Sequence, residues 1–194
     1  MDKIEKKIKD GLIESSRLKN QVAKSLSGDI KKLANLLIKI CKAGGKVVLC
    51  GNGGSAADAQ HIAGELVGRF MRERKAIPAI SLSTDTSVLT ALANDYGYDT
   101  VFARQVEALV TKKDVVIGFS TSGNSANVIK AIEKANKIGA KTIAFTGKSG
   151  GKLNSIVDIC IKIPSDKTYR IQECHITIGH ILCDLVESSL CETD

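Results

Sequence analysis

Val47-Val48-Leu49-Cys50-Gly51-Asn52-Gly53-Gly54-Ser55 is the stretch that decides the fold, because a short, wholly apolar run passes directly into a glycine/serine loop. From Ala56 onward the pattern is helical. A run apolar at every position reads as a strand with both faces covered, as in a parallel sheet. The same succession occurs once more: Val115-Val116-Ile117-Gly118-Phe119 leads into Ser120-Thr121-Ser122-Gly123-Asn124-Ser125, with a second helical segment from Ala126. Strand, Gly/Ser loop and helix N-terminus together form an anion site. Glycines let backbone N–H groups turn toward a ligand, the helix dipole favours negative charge, and hydroxyls add donors. Ser55, Ser120, Thr121, Ser122 and Ser125 carry enough donors to surround one phosphate. The ligand expected from these loops is a phosphorylated small molecule.

Working outward, short β-branched runs fall at 46–50, 77–82, 114–119, 141–146 and 158–163. Helical patterns lie between and after them, near 55–68, 85–94, 98–110, 125–138 and 169–190. Such alternation predicts βαβ units and a parallel five-stranded sheet flanked by helices, with ligands bound beyond the carboxyl ends of the strands. Ahead of the first strand, Ile4, Ile8, Leu12 and then Leu33, Leu36, Leu37 and Ile40 recur at helical spacing. Gly28-Asp29 is expected to break this region into a helical hairpin, Asp29 capping the second helix and Gly44-Gly45 ending it. The organisation expected is one α/β domain over 1–194, with N-terminal helices in 1–45 and an α/β core in 46–194.

Composition agrees with that class. Hydrophobic residues make up 43% of the 194 while aromatics are only 4%, so the core must be built from Val, Ile, Leu and Ala. The net charge of +7 suggests nucleic acid until it is located: residues 1–46 hold 12 basic and 5 acidic residues, and the remainder is balanced. Spread along helices and unaccompanied by a binding motif, this excess reads as solvated helix faces. Six cysteines show no C-x-x-C pair and no zinc-finger spacing, and read as reduced and structural. No apolar run approaches the ~18 residues of a membrane span, and Asp2-Lys3-Ile4-Glu5-Lys6-Lys7 lacks the apolar stretch of a secretory signal. The expected location is the cytoplasm.

Neither loop matches G-x-G-x-x-G, the Walker pattern or the G-x-S-x-G elbow. Thr146-Gly147-Lys148-Ser149-Gly150-Gly151 has a Walker-like tail, but Thr142 stands where the first glycine belongs, so it reads as a structural turn. His61 and Glu65 lie four apart on the helix after the first loop and project from one face. That spacing suits shared metal ligation, a hydrogen-bonded acid/base pair, or a plain surface contact. The other two histidines, His175 and His180, follow Tyr169-Arg170-Ile171-Gln172-Glu173. Gln172 and His180 are separated by ~12 Å along a continuous helix, so one metal could hardly bind both from the same copy of it. Either that helix is broken or two subunits contribute. His175 reads as a satisfied or exposed helical histidine, and Asn94-Asp95 as a polar turn.

GNGGSAADAQHIAGELVGRF (51–70), LSTDTSVLTALANDYGYD (82–99), STSGNSANV (120–128) and RIQECHITIGH (170–180), in this order, resemble the sugar isomerase (SIS) domain family and, within it, the phosphoheptose isomerases. The resemblance implies a flavodoxin-like three-layer sandwich. The reaction it implies is an enediol isomerisation of sedoheptulose 7-phosphate to D-glycero-D-manno-heptose 7-phosphate, early in ADP- or GDP-heptose biosynthesis. It places Asn52, Gly53, Gly54, Ser55, Glu65, Asn94, Asp95, Ser120, Thr121, Ser122, Ser125 and Gln172 around the substrate. Glu65 becomes general base and His180 general acid. It further implies zinc, one ion per subunit, held by His61, Glu65, Gln172 and His180, in a homotetramer with active sites between subunits and the N-terminal helices in the interfaces. No nucleic acid or membrane is expected as a partner. Some relatives carry an acidic residue where Tyr169 stands, so neither Tyr169 nor the upstream Asp166 is placed in the site. Two other readings stay open: a non-catalytic SIS binding module, which the joint presence of Glu65, Gln172 and His180 argues against, and an isomerase of another sugar phosphate.

Overall fold

A computed structural model describes residues 2–191. The chain opens with helix α1 (Lys3–Lys42), followed by β1 (Val47–Gly51), α2 (Gly54–Val67), β2 (Ala79–Ser81) and α3 (Thr86–Tyr96). A 3₁₀ turn at Tyr98–Thr100 leads into α4 (Val101–Leu109), β3 (Val115–Ser120), α5 (Ala126–Ile138) and β4 (Lys141–Thr146). A second 3₁₀ turn, Lys152–Ser155, precedes β5 (Ile159–Lys162) and α6 (Thr168–Cys191). The strands form one sheet in the order β2-β1-β3-β4-β5, every pair parallel, with Gly51 opposite Phe119 and Ser120 opposite Thr146.

Alternation within the strands divides the core in two. Leu49, Ile117, Phe119, Ile143, Phe145 and Ile161 pack on one face against α1, α2 and α6. Val48, Cys50, Val116 and Ala144 pack on the other, against α4 and α5. The strands β1 and β3 are buried throughout, as their unbroken apolar runs require, whereas the edge strands β2 and β5 are only partly covered. All six cysteines are free, and burial pushes the Cys50 and Cys183 thiols up to about 12, so neither is a thiolate at neutral pH.

The expected break at Gly28-Asp29 does not occur: α1 is one helix of 40 residues, ~60 Å long, not a hairpin. Asp29 caps nothing and pairs with Lys32 one turn on. A glycine in a helix interior costs about 1 kcal/mol. That cost is outweighed by burying Val22 on one side of it and Leu33, Ala34, Leu37 and Ile40 on the other, a face continuous only if the helix is. Among the described residues no helix is long and apolar enough to cross a membrane.

Candidate active site

Strand order reverses between β1 and β3, since the chain moves from β1 out to β2 and then returns to build β3, β4 and β5 on the other side. A crevice opens beyond the carboxyl ends of the strands at such a point. Both Gly/Ser loops stand there, on adjacent strands. Their turns need a positive φ, which Gly53 (56°) and Gly123 (67°) supply. A reciprocal amide pair ties the loops together: Asn52 Nδ2 donates to Asn127 Oδ1 at 2.9 Å, and Asn127 Nδ2 donates back to Asn52 Oδ1 at 2.8 Å. The Tyr98 hydroxyl donates to the same Asn52 oxygen at 3.2 Å, bringing the segment after α3 to the rim.

In the second loop the Ser120 and Ser125 hydroxyls lie 2.8 Å apart, with the Ser122 hydroxyl 3.5 Å from that of Ser120. They gather at the N-terminus of α5, where free amides and the dipole favour an anion. Beside them is a cavity of about 300 Å³ lined by Thr121, Ser122, Asn124, Lys148, Ser149 and Thr168, among others. The Gly147 amide donates to the Thr121 carbonyl at 2.9 Å, and a Cβ at Gly123 would run into the Gly150 carbonyl. The 146–151 turn therefore braces the serine loop, as expected of it, and in addition puts the exposed Lys148 beside the cavity.

The third component lies between α2 and α6. His61 Nε2 is 3.0 Å from Glu65 Oε1 and 3.0 Å from His180 Nε2, and one donor atom from each residue lies within 4.8 Å of the others. Donors of a tetrahedral zinc ion, bound at ~2.0–2.1 Å, are about 3.3 Å apart, so two imidazoles and a carboxylate at these separations fit such an ion. Two helices can approach this closely because Gly179 has no side chain: a Cβ there would lie 2.5 Å from Ile62 Cδ1. Phe70, just past α2, stacks on His180 at 5.7 Å between centroids and 29° between planes. One turn before His61, Asp58 is nearly buried and its Oδ2 has no hydrogen-bond partner. Burial raises its pKa to about 6, against a smaller opposing effect of His61.

The structure thus brings together His61, Glu65 and His180 as one group, and Ser120, Ser122 and Ser125 as another. Gln172 meets the first turn of α2 instead: a Cβ on Gly54 would lie 2.6 Å from its Nε2. Because α6 is unbroken from Thr168 to Cys191, Gln172 and His180 stay ~12 Å apart along its axis, which removes the broken-helix alternative. Ser55 is buried in the first turn of α2. Asn94 and Asp95 are not a turn but the exposed last turn of α3, with Asn94 Nδ2 donating to Asp95 Oδ1 at 2.8 Å. His175 is wholly buried, its Nε2 at 3.2 Å from the Thr146 carbonyl. Sequence reasoning missed Asn127, Phe70 and Lys148. Asn127 was legible only as the second residue of a helix, and the other two only through tertiary neighbours.

The family model of the SIS domain matches residues 12–147. The chain is 55% identical over 186 residues to the phosphoheptose isomerase of Aquifex aeolicus, covering 96% of this chain and 97% of that one. Two solved structures superpose closely. The phosphoheptose isomerase of Neisseria gonorrhoeae has a TM-score of 0.89 at 43% identity, with 95% of this chain and 99% of that one covered. The one from Francisella tularensis has a TM-score of 0.92 at 38% identity, with 97% and 100% covered. A crevice with two Gly/Ser loops at the switch point, a carboxylate and two imidazoles gathered between α2 and α6, and likeness along the whole chain have one reading: the chain belongs to the SIS domain family and, within it, to the phosphoheptose isomerases.

Proposed function

We propose that this enzyme isomerises sedoheptulose 7-phosphate to D-glycero-D-manno-heptose 7-phosphate through an enediol, an early step of ADP- or GDP-heptose synthesis. The observation that carries the reading is the convergence of Glu65, His61 and His180 between α6 and α2, the helix that follows the first of two tied Gly/Ser loops. Ser120, Thr121, Ser122 and Ser125 hold the phosphate. Asn52, Gly53, Gly54, Ser55, Asn94, Asp95 and Gln172 surround the sugar. Glu65 takes a proton from C1 while His180, as general acid, gives one to the C2 oxygen, forming the enediol. Glu65 then delivers its proton to C2, and the C1 hydroxyl returns a proton to His180 as the aldehyde forms. Glu65 and His180 donors within 4.8 Å of each other can serve adjacent carbons. One Glu65 oxygen faces His61 at 3.0 Å, and the other is the one that acts as base. Zinc would be held by His61, Glu65 and His180, with Gln172 of another subunit, and would supply a Lewis acid at the substrate carbonyl.

The reading includes a homotetramer with shared sites, working in the cytoplasm without nucleic acid or membrane. Its support is twofold. Gln172 is too far along α6 to join His180 at one ion from the same copy. In addition, α1 leaves Ile4, Ile8 and Leu12 at least 60% exposed and borders, with α6, an apolar groove of about 480 Å³. An isomerisation assay with zinc-loaded protein, run beside Glu65→Gln and His180→Gln, tests the chemistry. Turnover is expected to fall roughly 10²–10⁴-fold in each variant with assembly unchanged. Absence of turnover in the parent protein would refute the reaction.

A further inference from the structure

Among the buried groups that this chemistry does not use is Glu187, whose carboxylate accepts four hydrogen bonds. It sits on α6, seven residues or about two turns beyond His180, with no solvent exposure. Its Oε1 accepts from the Phe70 amide at 2.9 Å, and its Oε2 accepts from the Met71 and Arg72 amides at 2.7 and 2.9 Å. Arg74, whose side chain is 6% exposed, donates Nε to Glu187 Oε1 at 3.1 Å. Its other N–H groups donate to the carbonyls of Glu65 and Leu66, both at 2.9 Å. A buried carboxylate needs such compensation, and here three successive amides and a guanidinium provide it. Burial pushes the Glu187 carboxyl up, but these donors more than offset that and hold it below the usual carboxylate range.

Such an arrangement does more than neutralise a charge. The chain leaving α2 is folded back onto α6 at the level of the site. Arg74 binds the last turn of α2 at the backbone of Glu65 itself, while Glu187 anchors Arg74 to the helix that carries His180. The same fold-back lays the Phe70 ring on the His180 imidazole. His61 and Glu65 belong to one helix and His180 to another, so their mutual spacing is set by how those helices are held. Nothing in α2 alone fixes it.

We propose that Glu187, Arg74 and Phe70 are positioning residues: a buried clasp between α2 and α6 that sets the spacing of His61, Glu65 and His180 for a divalent cation. This rests on the zinc reading of that cluster. Outer groups that orient metal ligands are typically worth 10–100-fold in metal affinity.

The test measures zinc affinity of the full-length protein by competition with a chromophoric chelator, well below each variant's melting temperature, together with kcat and KM. Glu187→Gln puts an amide N–H against the backbone N–H groups, and its zinc affinity is expected to fall 10–100-fold. Phe70→Leu keeps every hydrogen bond of the clasp and is expected to lose about tenfold, whereas Phe70→Tyr, which retains the ring, keeps the parent affinity. In both weakened variants kcat falls more than KM rises. Folded variants with a lowered melting temperature but unchanged zinc affinity would show a merely structural clasp and overturn the inference. Should Glu187→Gln fail to fold, Phe70→Leu decides by the same readout. Parent protein that takes up no zinc would remove the zinc reading and this inference with it, an outcome distinct from parent-like affinity in the variants.

Discussion

His175 should make the protein sensitive to acid by an amount that can be worked out from its surroundings. Its ring lies among Phe119 and Phe145, at 5.8 and 5.5 Å between centroids. Its Nε2 donates to the Thr146 carbonyl, while the buried Nδ1 has no partner. Protonation would place an N–H at Nδ1 facing no acceptor, and burial lowers the pKa to about 4, partly countered by the Thr146 bond. The unfolded histidine titrates near 6.5. Below that pH the unfolded chain takes up a proton that the folded protein refuses until about pH 4, so stability falls as pH falls across this window. The whole loss is about 3 kcal/mol, and about 2 kcal/mol of it has occurred by pH 5.

Asp58 works in the opposite direction. Its folded pKa of about 6 lies above the unfolded value, so its penalty is present above pH 6 and relieved as pH falls, returning about 1 kcal/mol by pH 5. Urea unfolding at pH 7 and pH 5, at one protomer concentration and with a chelator present, separates the two effects. From pH 7 to 5, His175→Leu is expected to lose about 2 kcal/mol less than the parent, and Asp58→Asn about 1 kcal/mol more. The Thr146 carbonyl remains satisfied in the histidine variant, because it also accepts the Ile163 amide at 3.0 Å. Parallel pH dependences for parent and His175→Leu would refute the claim that His175 is held neutral.

Two further changes probe the site's framework. Gly179→Ala places a methyl 2.5 Å from Ile62 Cδ1 and 2.9 Å from its Cγ1, so we expect a loss of about 1–3 kcal/mol in urea unfolding together with weaker zinc binding. Both are only partly restored by adding Ile62→Val, which removes the first contact alone. Asn127→Ala leaves the Asn52 amide without its reciprocal partner, and kcat/KM should fall by roughly tenfold or more, corresponding to about 1–3 kcal/mol for the unpaired group.

The fold was largely legible before any coordinates. Apolar runs at 47–50 and 115–119 are strands because only a doubly covered sheet buries both of their faces, and the segments between them carry helical periodicity. The loops after those runs announced an anion site because glycine, hydroxyl and helix N-terminus are adjacent in the chain. The error at Gly28-Asp29 has a physical origin. Local propensity there favours a break, and a continuous buried face spanning Val22 to Ile40 overrides it. In the site, His61 and Glu65 could be paired from spacing alone, since an α-helix dictates which side chains share a face.

Everything that crosses between elements was beyond such reading. His180 meets His61 only because α2 and α6 pack through Gly179, and Phe70 covers His180 only because Glu187 and Arg74 fold the intervening chain back. The Asn52–Asn127 pair depends on β1 and β3 being neighbours, which the order of the strands in the chain does not state. By itself the sequence determined the elements, their patterning and the chemistry each loop offers, because those follow from local stereochemistry. Tertiary structure alone decided which of those chemistries meet, because that is set by packing between residues far apart in the chain.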